Sequence, residues 1–331
     1  MNEKTKGRLI LLIVYLIAFV LGFWVSTVSS YSILFKSAVA VGVTVLIIFL
    51  GSVDFNNSSV FDPYWSVAPP LMALYYAAVF ISGQLPAPGQ TGIDAGYWTL
   101  EPVMPPTPVR DGCWISGALP NSIRFLILFI LVMIYSIRLT RNFLRGWKGL
   151  GHEDWRYAGF RKTSGKAYWL VSLFGIHLFP ALMVFGGTLS IWVVATEGGH
   201  PLNWIDAPAI LVTAGAILLE AASDRQMRKF LVQSGGEGKT MNSGLWACSR
   251  HPNYLGEILF WWGLYLFALA ANPGFWKVII GPVAITLMFL FASIPMIEKR
   301  MKARRPDYVD YMKRVPVLFP VRFWKRMHGI S

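Results

Sequence analysis

Charge is scarce in this chain. Asp, Glu, Lys and Arg make up 14% of its 331 residues, while 55% are hydrophobic. A soluble protein of this length needs a far larger polar surface, so the composition excludes a soluble globular domain and, equally, a disordered chain. Cysteine is scarce too. Cys113 and Cys248 fall in distant loops that the topology below puts on opposite sides, so no disulfide framework or zinc set can be built. No metal site is expected. The net charge of +13 is carried by a few loops beside apolar runs, which is a topology signal and not a nucleic-acid footprint.

What is present is a series of long apolar runs. The run Leu9 to Val28 follows Lys4, Lys6 and Arg8 and starts like a signal peptide. It is long enough to span a bilayer, which takes about 20 residues, and it has no convincing small-residue cleavage site; it reads as a retained first span. Spans are expected at 9–28, 33–51, 68–83, 122–139, 168–195, 207–223, 255–272 and 277–296. The fifth is interrupted by Pro180 and Gly186-Gly187, which predicts a kink. The expected fold is all-α: a polytopic membrane protein with about eight transmembrane helices. The loops 140–167 and 224–250 and the tail are rich in Lys and Arg, whereas 29–32, 84–120 and 196–206 are nearly free of them, so both termini are expected to be cytoplasmic. No repeat is visible. Residues 1–331 read as a single membrane domain, with 1–139 as the substrate side and 140–331 as the cofactor-binding half.

Four stretches hold more polar chemistry than a span boundary needs. "SVDFNNSSVFDPYWSVAPP" sits on the cytoplasmic side without a basic residue. Asp62-Pro63 reads either as a turn or as Asp62 and Tyr64 facing a cavity. "RLTRNFLRGWKGLGHEDWRY" suits anionic headgroups through Arg145 and Lys148, but lipid contact leaves His152, Glu153 and Asp154 unexplained. At the end of the sixth span, Glu220, Asp224 and Arg228 share one helical face. An intrahelical ladder is worth a few tenths of a kcal/mol per pair, too little to hold Glu220 at the membrane edge without a polar ligand or cavity. Gly235, Gly236 and Gly238 would let the next loop close over such a site.

The fourth stretch is "SGLWACSRHPNYLGE", residues 243–257. Pro252 opens a helix, Asn253 can cap it, and Arg250, His251, Gly256 and Glu257 crowd its N-terminus, where an anion is favoured. Downstream, Arg300, Arg304, Tyr308 and Tyr311 follow a helical course and form a candidate second wall, or else a basic amphipathic helix lying on the membrane.

"GLWACSRHPNYLGEILFWWG", together with Glu298, Arg300, Tyr308, Tyr311 and Pro320, resembles the C-terminal half of the steroid 5-alpha-reductase family, and most closely its bacterial-type membrane branch. "FDPYWSVAPP" and "RLTRNFLRGWKGLGHEDWRY" extend the likeness over about residues 52–320. The Arg-His-Pro-x-Tyr-x-Gly part is shared with isoprenylcysteine carboxyl methyltransferases and sterol reductases. The resemblance implies an NADPH-dependent oxidoreductase acting on a lipophilic substrate. It places Asn253, Tyr254 and Glu257 at the cofactor, with Asp224, Arg250, Arg300 and Tyr308 as further candidates; Glu220, Arg228 and His251 join them from the residue reading. Asp62 stands where the family has an acid that engages the substrate's enone oxygen. The family's tyrosine has no clear match: Arg138 or Thr140 falls near it, with Tyr135 and Tyr157 close by. Asp62, Tyr64 and Tyr135 are therefore the catalytic candidates. The rival reading is an S-adenosylmethionine-dependent methyltransferase acting on a lipid-linked acceptor; a third is a structural or lipid-binding membrane protein. NADPH carries phosphates that call for several Arg and Lys, and S-adenosylmethionine carries none. The expected location is a bacterial inner membrane rather than the endoplasmic reticulum, with membrane lipid and a lipophilic small molecule as partners.

Overall fold

A computed structural model describes residues 3–27, 32–81, 114–233 and 238–319; for 80–81 and 114–122 it describes the backbone alone. All regular structure among these residues is helical. Seven helical stretches are long and apolar enough to cross a membrane: Glu3–Thr27, Ile33–Asp54, Ile123–Gly146, Trp155–Glu197, Asp206–Gln233, Pro252–Ala271 and Pro273–Arg304. The expected span at 68–83 falls on an additional helix, Tyr64–Ile81, which is not one of the seven. The external loop expected at 84–120 lies largely outside the described residues.

The chain divides into two units, Met1–Gly199 and His200–Ser331. The division anticipated at 139/140 falls inside the first. The first unit holds α1 (Glu3–Thr27), α2 (Ile33–Asp54), α3 (Tyr64–Ile81), α4 (Trp114–Gly146), α5 (Trp155–Ser164), α6 (Tyr168–Val171) and α7 (Phe179–Trp192). Helix α1 turns Leu12, Leu16, Val20 and Trp24 outward, as a helix bathed in lipid does, and buries Leu11, Tyr15 and Ala18 against α2. Asp154 caps α5 by accepting from Arg156 N at 2.9 Å, and Gly165 at φ 52° ends it. The interruption expected near Pro180 takes the form of a π-helical segment, Ser172–Leu178, placed directly before α7 with Pro180 in its first turn. The extra residue per turn absorbs the hydrogen bond that proline cannot donate.

The second unit holds α8 (Asp206–Gln233), α9 (Leu245–Cys248), α10 (Pro252–Ala271), α11 (Ile280–Met288), α12 (Ile294–Arg304) and α13 (Tyr308–Arg314). Its centre is the crossing of α8 and α10. A Cβ on Gly256 would lie 2.9 Å from the Ala216 carbonyl oxygen and 2.9 Å from Glu220 Cβ; one on Gly263 would overlap the Thr213 side chain. Gly256 and Gly263 are two turns apart, as are Thr213 and Glu220, so each glycine admits the facing helix to backbone distance. Gly256, which the sequence reading tied to an anion at the helix start, thus has a packing role. Because backbone atoms and a Cβ block its site, Gly256→Ala is expected to cost about 1–3 kcal/mol of stability by overpacking. A melting temperature unchanged in detergent would contradict the close crossing.

Two local expectations are corrected. Asn253 does not cap α10: the capping position is His251, whose side chain makes no cap bond, and Pro252 and Asn253 lie in the first turn. The course from Arg300 to Tyr311 is not one helix. It breaks at Arg305, which is extended (φ −135°, ψ 105°) because Pro306 disfavours helical geometry in the residue before it, and α13 restarts at Tyr308.

Candidate functional site

Among the described residues, each unit holds a hydrogen-bonded cluster of buried polar side chains. In the first unit, the loop between α2 and α3 and the loop between α4 and α5, read separately in the sequence, form one structure. Asn57 Nδ2 donates to the carbonyls of Leu150 (2.6 Å) and His152 (3.2 Å), and Asp154 N donates to Ser59 Oγ (2.8 Å). Asn57 belongs to a sequence that matches a glycosylation sequon, but it is buried. Glu153 is the hub. Its carboxylate accepts from Ser58 N (3.0 Å), Tyr168 Oη (2.9 Å) and the Arg161 guanidinium (3.0 and 3.1 Å). Burial pushes its pKa up, but the bonds from Arg161, Ser58 and Tyr168 outweigh that and hold it below the usual value. From Tyr168 the hydrogen bonds run inward through Ser58 Oγ (2.7 Å) to Ser172 Oγ (2.8 Å). His177, at the end of the π-helical segment, meets the Ser172 carbonyl with Nδ1 (2.9 Å) and Ser52 Oγ with Nε2 (2.9 Å). This buried network pins the loops to the spans beneath them.

The pinning fixes Asp62, which sits between the 3-10 turn Ser58–Phe61 and α3. Tyr15 reinforces it from α1, donating to the carbonyls of Val60 and Phe61 at 3.1 Å each. Asp62 Oδ1 accepts from Tyr157 Oη at 2.5 Å and, more weakly, from Arg156 Nη2 at 3.5 Å. Arg156 is itself held by Asp154 (2.7 Å) and lies over the Tyr157 ring. Burial raises the Asp62 pKa from 3.8 to about 6 against the charge of Arg156 and the Tyr157 bond, which act to lower it. The other catalytic candidates lie elsewhere. Tyr64 is buried and stacked on Phe61 (5.0 Å between centroids), and Tyr135 is buried on α4 with Arg138 over its ring. Neither is a partner of Asp62. The tyrosine that the structure gives Asp62 is Tyr157, 95 residues away.

In the second unit, Glu298 Oε1 accepts from Arg250 Nε (2.8 Å) and from His251 Nε2 (3.0 Å). Arg250 also donates through Nη1 to the carbonyls of Met312 (3.0 Å) and Val315 (2.8 Å), and through its backbone N–H to Pro316 (2.9 Å). It therefore ties the start of α10 to α12 and to the chain after α13. His251 stacks on Tyr254 (5.4 Å, 9°), and Tyr254 packs on Phe289. Tyr308 lies in the same cluster: burial raises its pKa to about 12, with the Glu298 carboxylate adding to the rise. Tyr311 donates to the Trp246 carbonyl (2.5 Å). Glu257 is turned along its own helix, accepting from Trp261 Nε1 (2.9 Å). Glu220 is buried at the α8–α10 crossing, Asp224 and Arg300 are half-buried and Arg228 is exposed. Gly235 and Gly236 lie outside the described residues.

Counting donors shows what this cluster can still bind. Among the described residues, Arg250 Nη2, His251 Nδ1, the Asn253 amide and Tyr308 Oη have no hydrogen-bond partner. Tyr308 is 4% exposed and His251 5%. None of these atoms is fully buried, so they lie where water or a polar ligand can pair them. The role of Glu298 was the part that residue spacing alone did not reveal; an acidic side chain at the end of the apolar run "FASIPMIEKR" was its signal.

Fold and clusters together define an all-helical polytopic membrane protein with buried polar centres in both units. The family model described as "Protein of unknown function (DUF1295)" matches residues 96–315, and the chain belongs to that family. It is 27% identical over 224 residues to uncharacterized protein C594.04c of Schizosaccharomyces pombe, an alignment covering 60% of this chain and 63% of that protein. No solved structure matches the chain.

Proposed function

We propose that this protein is a membrane-embedded, NADPH-dependent reductase of a conjugated carbon–carbon double bond in a lipophilic substrate. The observation that carries the reading is the Asp62–Tyr157 pair. A carboxyl group whose pKa is near 6, bonded to a phenol and fixed by a buried network, is a proton donor suited to neutral pH. Reduction of an enone needs such a donor to polarise the carbonyl oxygen and protonate the product.

The likeness to steroid 5-alpha-reductases supports the reading, and the second cluster fits the cofactor. Arg250, Asn253 and Tyr308 offer donors for phosphate and ribose oxygens, His251 Nδ1 can accept from a ribose hydroxyl, and Tyr254 forms an aromatic wall. A donor-rich set suits a phosphorylated nucleotide better than the cationic sulfonium of S-adenosylmethionine. NADPH when bound supplies the hydride. Arg250 would orient the phosphates while Glu298 keeps its guanidinium in place. The distribution of Lys and Arg supports a topology with both termini cytoplasmic, and the bacterial-type resemblance favours an inner membrane over the endoplasmic reticulum.

The test is turnover in the detergent-purified protein. A lipophilic enone should be reduced with loss of NADPH absorbance. Transfer of a labelled methyl group from S-adenosylmethionine to a lipid-linked acceptor, without NADPH oxidation, would replace this reading with the methyltransferase.

A further inference from the structure

The second unit contains a cavity of about 500 Å³ that the proposed reaction does not use. That is the size of a small-molecule site, for which about 300–1,000 Å³ is usual. One wall is Ile258, Leu259 and Trp262 of α10; another is Thr286 of α11 and Leu290 beyond it; the third is the strap 316–319. No Asp, Glu, Lys, Arg or His is among the described residues that line it. Its polar side chains satisfy each other: Thr286 Oγ1 donates to the Pro282 carbonyl (2.7 Å) and accepts from Trp262 Nε1 (3.1 Å). Nothing in this lining recognises a polar group, so its ligand is a hydrocarbon chain.

Two observations say where that chain comes from. The groove opens at the surface: Leu290 and Phe319, which line it, are exposed, and so are Leu287 and Phe291, which flank Leu290 in an apolar stretch long enough to cross a membrane. Just before the strap, Arg314 is exposed and bonds through Nε alone to the Asp310 carbonyl, while Lys313 pairs with Asp310; the rest of the Arg314 guanidinium suits the phosphate of a headgroup. We infer that the groove is a binding site for one acyl chain of a bilayer phospholipid, a site distinct from the nucleotide cluster and independent of the proposed reaction. The strap closes over the chain and is held from the other side by Arg250 N–H to Pro316, Arg250 Nη1 to Val315 and Ser249 Oγ to Val317 (3.2 Å). Lipid in the groove thus supports the segment to which Arg250 is anchored.

The experiment uses the full chain in phosphatidylcholine vesicles doped with a phosphatidylcholine bearing a photoreactive diazirine in its acyl chain. Peptide mapping should find Leu259, Trp262 and Leu290 labelled several-fold more than Phe291 and Leu218, which are exposed to bulk lipid. Leu259→Trp, which fills the groove, should remove the excess and leave Phe291 and Leu218 unchanged; Val317→Trp fills it from the opposite wall and carries the same expectation if the first variant fails to fold. Equal labelling at groove and surface, or labelling that filling does not change, would mean bulk-lipid contact only and overturn the site. Displacement of the groove label by farnesol at a mole fraction that leaves surface labelling intact would assign the groove to an isoprenoid and overturn the phospholipid assignment.

Discussion

Asp62→Asn is expected to lower kcat by about 10²–10⁴-fold, the range that a positioned general acid supplies, while leaving NADPH affinity within a few-fold. The amide keeps the size of the side chain and can still accept from Tyr157, so the loops should stay assembled. What is lost is the transferable proton. The wild-type pH profile gives an independent check. Asp62 must be protonated to donate, and its pKa in the folded protein is about 6. Turnover should fall as pH rises through about 6, and the variant should lose that limb. The same shift has a stability consequence of known sign. A carboxyl that binds its proton more tightly folded than unfolded contributes stability below 3.8, and this contribution is lost as pH rises through about 6. In Asp62→Asn that decline should be absent from the unfolding free energy measured across the window. Full activity with an unchanged profile would return Asp62 to the role of a turn residue.

Glu298→Ala is expected to destabilise the protein by about 3–5 kcal/mol, because removing one member of a buried ion pair leaves the other charge without compensation. Arg250 and His251 are 8% and 5% exposed, so water can replace the carboxylate only in part. Glu298→Gln retains an acceptor and should cost less, about 1.5–3 kcal/mol, the worth of a hydrogen bond to a charged group. Both variants should also loosen the end of α13 and the residue after it, since the Arg250 guanidinium that Glu298 orients donates to the carbonyls of Met312 and Val315, while the backbone bond from Arg250 to Pro316 should persist. Chemical unfolding in bicelles measures the first effect, and limited proteolysis near residue 316 the second. A loss below about 1 kcal/mol in Glu298→Ala would place the pair among solvent-exposed bridges and refute the buried cluster.

Much of the fold was legible because membrane helices write themselves into composition. A run such as 33–51 has few structural alternatives when every backbone polar group must be satisfied within its own segment. Local signals also worked where one residue type acts alone: Pro252 opens α10, and Pro180 marks the disturbed span. They failed where a second element decides. Gly256 read as part of an anion site because nothing in its neighbourhood announces Ala216 and Glu220 on the facing helix. The run from Arg300 to Tyr311 looked like one face of one helix because the periodic count passed over Pro306. Tyr157 was visible beside the expected tyrosine position, yet its pairing with Asp62 spans 95 residues and depends on Asn57, Ser59 and Glu153 closing two loops on each other. Glu298 illustrates the same limit. An acid at a span end is noticeable, but that it joins Arg250 to His251 follows from packing alone.

The central claim, that the donors around Arg250 hold a phosphorylated nicotinamide nucleotide, is tested most directly by thermal stabilisation of the detergent-purified protein. A ligand that binds only the native state adds about 2.7 kcal/mol at 100 times its Kd. NADPH should therefore raise Tm in a saturable way, with a weaker response in Tyr308→Phe and Asn253→Ala, and S-adenosylmethionine should leave Tm unchanged. A Tm that rises with S-adenosylmethionine and not with NADPH would contradict the account.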